Sequence, residues 1–278
     1  MYLEKAQAEE KLEMYKYEME LQELSERTIG KYLADIKQWL TEVDENIILK
    51  KNIILYKKKL SDIYKAASVN SKIISVNRYL KWLGFKELVV STERIQTTNV
   101  LDKMISKEDY FTMLNYARDT GKIKIYYIMK TIARTGLRVG ELKYVTVESV
   151  TDGYTQIRNK GKYRAIYFPE RLCFELLQYC KEAGIKEGII FTGRTKDKVI
   201  TSAAVWKCMK NIAKELQIPE EPVFPHSFRH LFAKNYMEKV GDITELADIL
   251  GHSRLETTWI YTKTTCEEKR KRLDRLDL

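Results

Sequence analysis

Histidine is scarce in this 278-residue chain: there are three, and cysteine and proline number four each. No two cysteines stand as C-x-x-C, and no histidines complete a zinc-ligand spacing with Cys173, Cys180, Cys208 or Cys266, so no metal centre is expected. The cysteines read as small buried apolar side chains of a reducing compartment. No apolar run reaches the roughly 18 residues that a membrane helix needs. The acidic start MYLEKAQAEEKLEMYK lacks the apolar segment of a secretory signal, which makes the cytoplasm the expected location and a membrane partner unexpected. No Walker-type phosphate loop occurs either, so the chain is expected to work without nucleotide or metal cofactor.

What is present begins with charge. The net charge is +10, but residues 1–24 hold three basic and seven acidic residues, leaving +14 for the rest. A basic body of this kind suits a polyanionic partner. The densest basic stretch, Lys50-Lys51-Asn52-Ile53-Ile54-Leu55-Tyr56-Lys57-Lys58-Lys59, is either a solvated helix face or a surface for DNA phosphates.

Two domains are expected, at residues 1–92 and 103–278, joined by a polar, β-branched linker at 93–102. The first domain reads as helical. Ser25 caps an apolar stripe of Ile29, Tyr32, Leu33, Ile36 and Leu40, and a second stripe of Ile73, Val76, Leu80 and Leu83 stops at Gly84. Before them, Met14, Tyr17, Leu21 and Leu24 mark an amphipathic helix for packing or subunit contact. In the second domain Ser106 caps a helix whose first turn carries Glu108 and Asp109. After Leu142 the apolar period shortens from 3.6 to 2, and Val145–Val147, Tyr154–Arg158 and Ala165–Phe168 read as three short antiparallel strands before helices return. The expected class is mainly α with one small sheet.

The three histidines all lie between positions 226 and 252, in His226-Ser227-Phe228-Arg229-His230 and Leu250-Gly251-His252, with Tyr261 nine residues further on. Upstream stand Thr135-Gly136-Leu137-Arg138-Val139-Gly140-Glu141-Leu142 and the turn Asn159-Lys160-Gly161-Lys162-Tyr163-Arg164. Guanidinium stays charged and presents a planar fork of donors to phosphate oxygens. A phenol is a nucleophile whose ordinary pKa near 10 leaves it protonated unless cations stand beside it.

In these four blocks, in this order and spacing, the chain resembles the tyrosine recombinases, the family of phage integrases and Xer-type enzymes. The likeness covers roughly residues 103–265 in its motifs and extends more loosely over residues 25–85. It implies a helical, SAM-like core-binding domain followed by a catalytic domain with a three-stranded sheet, closing as a clamp on duplex DNA. It also implies site-specific strand exchange through a 3′-phosphotyrosyl intermediate. The resemblance assigns phosphate gripping to Arg138 and Arg229, hydrogen bonding and proton transfer to His226 and His252, and attack to Tyr261. Protonation of the departing 5′-hydroxyl goes to Lys160, with Lys162 two residues on as the alternative. Glu141 and His230 are read as supporting residues, and Lys50, Lys51, Lys57, Lys58, Lys59, Lys162 and Arg164 as DNA contacts. The implied partners are a double-stranded recombination site and three further copies, as a homotetramer on two sites at the nucleoid. The tail after Cys266, with Leu273, Leu276 and Leu278, would be exchanged between protomers. Two other readings use similar residues: a type IB topoisomerase, which nicks and reseals one duplex, and a DNA-binding regulator without catalysis.

Overall fold

The computed structural model describes residues 2–94, 104–159, 162–195, 198–252, 255–262 and 274. The chain is mostly helical with small sheets and falls into two compact units, Met1–Thr97 and Thr98–Leu278. Among the described residues no helix is long and apolar enough to cross a membrane.

In the first unit, strand β1 (Leu3–Glu4) leads into helices α1 (Lys5–Glu10), α2 (Leu12–Leu21) and α3 (Glu26–Glu42). Strand β2 (Ile47–Ile48) then pairs antiparallel with β1, and helices α4 (Lys50–Ile63) and α5 (Ala66–Trp82) complete the unit. Local signals explain the boundaries. Ser25 Oγ accepts the Thr28 N–H at 3.3 Å, tying down a donor that the first turn of α3 leaves unpaired. Gly84, at φ 93°, adopts a left-handed conformation just past α5. The expected stripes on α3 and α5 supply Ile29, Ile36, Leu40, Ile73, Val76 and Leu80 to the core.

The stripe near the start of the chain faces the other way. Met14, Tyr17 and Leu21 are 63%, 62% and 61% exposed, while Tyr15 and Met19 are buried. A helical period identifies a face but not which face meets the core. Here Tyr15 decides, because its ring packs 4.8 Å from Tyr79 and 5.1 Å from Trp82. The segment is also broken at Lys11, so it forms two helices.

The second unit runs through α6 (Lys107–Asp119), α7 (Ile123–Thr135), a 3-10 turn (Val139–Tyr144) and α8 (Val147–Asp152). A hairpin of β3 (Tyr154–Asn159) and β4 (Lys162–Tyr167) follows, then α9 (Glu170–Glu182), α10 (Ser202–Glu215), α11 (Pro225–Lys239) and α12 (Ile243–Leu250). Short 3-10 turns at Leu255–Thr257 and Trp259–Tyr261 end the described part. Helix α11 runs through the unit, packed along α7 and against α12 and the last turn. The Ser106 hydroxyl caps α6, accepting the Asp109 N–H at 2.9 Å.

The expected three-stranded sheet is two-stranded among the described residues, β3 pairing only with β4. Val145–Val147 is not a strand. Thr146 instead caps α8, its hydroxyl accepting the Ser149 N–H at 3.1 Å while Ser149 Oγ accepts the Thr146 N–H at 2.9 Å. This reciprocal pair starts a helix where apolar alternation pointed to a strand. A single antiparallel bridge, Thr146 to Ile189, is what remains of the extended pairing. Of the cysteines expected to be buried, Cys180 is, Cys173 is half-buried and Cys208 is exposed; Cys266 lies outside the described residues.

Candidate active site

Four chain segments converge around the first turns of α11. Pro225 occupies its first turn, where a missing N–H costs nothing. His226, Arg229 and His230 follow at i, i+3 and i+4, so a helix puts them on one face. Gly136 ends α7 at φ 65° and turns the chain so that Arg138 enters the next 3-10 turn. A Cβ at Gly136 would collide with the Phe232 ring, so close packing as well as dihedral angle requires glycine there. Gly251 ends α12 at φ 62°, and His252 follows it directly.

Glu141 organises the cations. Its carboxylate is 5% exposed. It accepts from the Arg138 backbone N–H at 2.7 Å, from Arg138 Nη1 at 3.1 Å and from Arg164 Nη2 at 2.5 Å. Arg164 Nη1 also donates to the Ile249 carbonyl. Arg229 is wholly buried, donating through Nη1 to the Gly136 carbonyl and through Nη2 to the Leu250 carbonyl, each at 2.5 Å. Burial first, then Arg138 and Arg164, act against the Arg229 charge, but a guanidinium between two carbonyls stays protonated at neutral pH. Arg138 and Arg164 thus share one buried carboxylate while Arg229, nearby, has only carbonyls and His252 as partners, and the Nε atoms of Arg164 and Arg229 are buried without a hydrogen-bond partner. Such a cluster favours an anion.

The histidines are neutral here. His252 Nε2 lies 3.4 Å from Arg229 Nη2, which can only donate, so Nε2 accepts and Nδ1–H donates to Thr258 Oγ1 at 2.8 Å. Burial and the surrounding arginines push the pKa of His252 down to about 4. His230 is also pushed down to about 4, by burial and then by His226, Arg229 and His252. His226 is exposed at its outer edge, yet partial desolvation and then Arg229 and Arg138 lower its pKa too.

Tyr261 is 5% exposed, with its oxygen 2.5 Å from His230 Nδ1. Burial raises its pKa to about 12, against the opposing pull of Arg229 and Arg138. In this arrangement the phenol is protonated and turned inward, and the neutral His230 ring is next to its proton.

The structure therefore brings together Arg138, Glu141, His226, Arg229, His230, His252 and Tyr261. Lys160 lies outside the described residues, and so does the side chain of Lys162. Arg164 departs from its expected role on DNA: its side chain is 8% exposed and committed to Glu141 and Ile249. The alternation of β4 contained the signal for this. Arg164 is two residues from buried Ile166, while Tyr163 and Tyr167 are exposed on the other face. Thr258, which holds His252, carried no signal in the sequence. Of the lysines on α4, Lys50, Lys51, Lys58 and Lys59 are exposed. Lys57 donates to the Ser91 carbonyl and Lys59 pairs with Glu42 at 3.2 Å. Among the described residues no group of histidine, cysteine and acidic side chains is placed to hold a metal.

Comparison with known proteins places the family and the fold. The profile of the Phage integrase family matches residues 103–268. The Pyrococcus furiosus protein "Tyrosine recombinase XerA" is 27% identical, over 99% of this chain and 96% of its own length. Two solved structures share the fold at 18% identity. One is a lambda integrase dimer bound to a COC′ core site, with a TM-score of 0.74 over 95% of this chain and 96% of that one. The other is a lambda integrase tetramer bound to a Holliday junction, with a TM-score of 0.71 over 92% of this chain and 78% of that one.

Proposed function

The chain belongs to the phage integrase family and is a tyrosine recombinase, and from that premise we propose how its own residues carry out site-specific DNA recombination. The observation that carries the reading is the surplus of buried guanidinium: three arginines around one carboxylate, with two Nε donors unpartnered, beside a phenol. A phosphodiester held by Arg138 and Arg229 would supply the missing anion. His226 would donate to the same oxygens, and His252 would join it once its Nε2, an acceptor in this structure, has taken up a proton. Tyr261 would leave His230, give its phenolic proton to the unprotonated Nε2 of His252 and attack phosphorus, so that a tyrosine–phosphate bond forms as the bond to the 5′-oxygen breaks. The departing 5′-oxygen takes a proton from Lys160 or Lys162. The phosphotyrosyl bond keeps the energy of the broken one, so a 5′-hydroxyl of another strand can reverse the step. Glu141 and Arg164 would hold the arginines in register without touching DNA.

The test uses a library of nicked duplexes with randomised cores, in which the short leaving strand is lost after cleavage. Wild-type chain should become attached in a detergent-resistant complex to the new 3′ end that cleavage creates. Tyr261→Phe should bind and not attach. Attachment by the phenylalanine variant, or binding without attachment by wild type, would sink the assignment.

Four copies on two sites would perform the exchange, a reading that the lambda integrase tetramer on a Holliday junction supports by fold. The tail after Cys266, which but for Asp274 lies outside the described residues, would pass to a neighbouring copy through Leu273, Leu276 and Leu278. Deleting residues 267–278 should then weaken pairing of two sites, read as slow-migrating complexes in gels, while binding to one site persists.

A further inference from the structure

The outward stripe on α2 is unused by this chemistry. Met14, Tyr17 and Leu21 lie at helical spacing, each more than 60% exposed, and Glu13, Glu18 and Glu20 flank them. Scattered exposed apolar residues are ordinary, but three on one ten-residue helix make a patch. A second patch lies on α4 of the same unit. There Ile54 and Leu55, 52% and 60% exposed, share a face with Lys51 and Lys58. The charges are opposite: residues 1–24 carry −4, and α4 carries five lysines against Asp62, or +4. Both faces are open to solvent at once in one chain, so neither covers the other.

We propose that the Met14–Tyr17–Leu21 face of α2 seats against the Lys51–Ile54–Leu55–Lys58 face of α4 in a second copy, head to tail. Each copy then offers one acidic-apolar and one basic-apolar surface, the arrangement that closes a ring when the rotation allows it. Side chains of Met14, Tyr17 and Leu21 meet Ile54 and Leu55 at the centre, and Glu13, Glu18 and Glu20 ring them opposite the lysines. A phosphate surface would account for Lys51 and Lys58 but leaves Ile54, Leu55 and the whole α2 stripe unexplained. The proposal rests on the strand-exchange reading only in that several copies must meet.

The experiment joins carboxylates to amines by carbodiimide in a mixture of isotope-labelled and unlabelled full-length chain, alongside sedimentation velocity. Cross-copy links from Glu13, Glu18 or Glu20 to Lys51 or Lys58 are expected, fading at high salt. E13K/E20K and K51E/K58E should each lower self-association about tenfold, and mixing the two variants should restore it, because each supplies the partner that the other needs. Leu21→Ser and Leu55→Ser should weaken it without altering the circular dichroism spectrum. The proposal is overturned if cross-copy links are absent from wild type, or if the mixed variants do not recover association. It is also overturned if K51E/K58E instead loses binding to a plain duplex while E13K/E20K changes nothing. Attachment to the nicked duplex, measured in parallel, reports on Tyr261 chemistry separately, so either reading can fail without the other.

Discussion

Each unit buries a charged cluster, and the two are built differently. In the first, Asp35 is 7% exposed and accepts from Lys31 at 2.6 Å, Lys72 at 3.4 Å and Ser75 at 2.7 Å. There the buried member is the acid, and one of its two cations reaches outward: the Lys31 side chain is 46% exposed, that of Lys72 18%. In the second unit the cation itself is sealed in, with Arg229 wholly buried and Glu141 shared by Arg138 and Arg164. The first cluster is balanced by two lysines and joins α3 to α5. The second is left electropositive, which stabilises nothing by itself and suits an anion that the fold does not contain.

The largest effect should come from breaking the second cluster at Arg229. Arg229→Ala should slow covalent attachment to the nicked duplex about a thousandfold. Arg229→Lys should recover little, since an ammonium cannot bridge the Gly136 and Leu250 carbonyls as a fork. Next, Glu141→Gln should lower unfolding free energy in urea by about 3–5 kcal/mol, because it leaves buried arginines without a counter-charge. Asp35→Asn should cost about 1 kcal/mol, since Lys31 can turn into solvent and Lys72 keeps its bond to Gln38 at 2.6 Å. Equal losses would erase the distinction between the clusters.

The pH dependence sharpens the same contrast. His230 and His252 have pKa values near 4 when folded, below the ordinary 6.5. Groups with depressed values contribute stability above pH 6.5 and lose it as the pH falls toward 4. Tyr261 has the opposite sign: its value is raised from 10 to about 12, so its contribution holds below pH 10 and is lost as the pH rises through 12. His230→Asn should flatten the acid side of the melting-temperature profile. An unchanged slope would place the titration elsewhere. Two glycines test the backbone rather than the charges. Gly251→Ala should cost about 1–2 kcal/mol, because φ is positive and its Cβ would strike the Arg164 side chain. Gly30→Ala, in an exposed helix interior with open space around it, should raise stability by about 0.5–1 kcal/mol in the same urea titration.

Much of this was legible beforehand where the cause is local. Ser25 and Ser106 start helices, Gly84 lies at the end of one, and each acts through its own backbone or one three residues away. The residue types of the site were legible too, because a phosphate-directed set of arginine, histidine and tyrosine has a recognisable order. Thr146 was misread because a capping residue and a strand residue look alike in a three-residue window. The α2 stripe was left open between packing and subunit contact because two apolar stripes compete on that helix, and Tyr79 and Trp82, some 64 residues away, decide which of them packs.

By itself, then, the amino-acid order determined helix starts and stops and the chemical inventory of the site. Only the tertiary structure decided that Arg164 turns inward to Glu141 rather than outward to DNA, that Thr258 fixes the His252 tautomer, and that His230 holds Tyr261. It also decided which face of α2 is left for another molecule. The division has a physical cause. Caps and periods depend on dihedral angles and neighbours within a turn, whereas burial and hydrogen-bond partners depend on segments tens of residues apart.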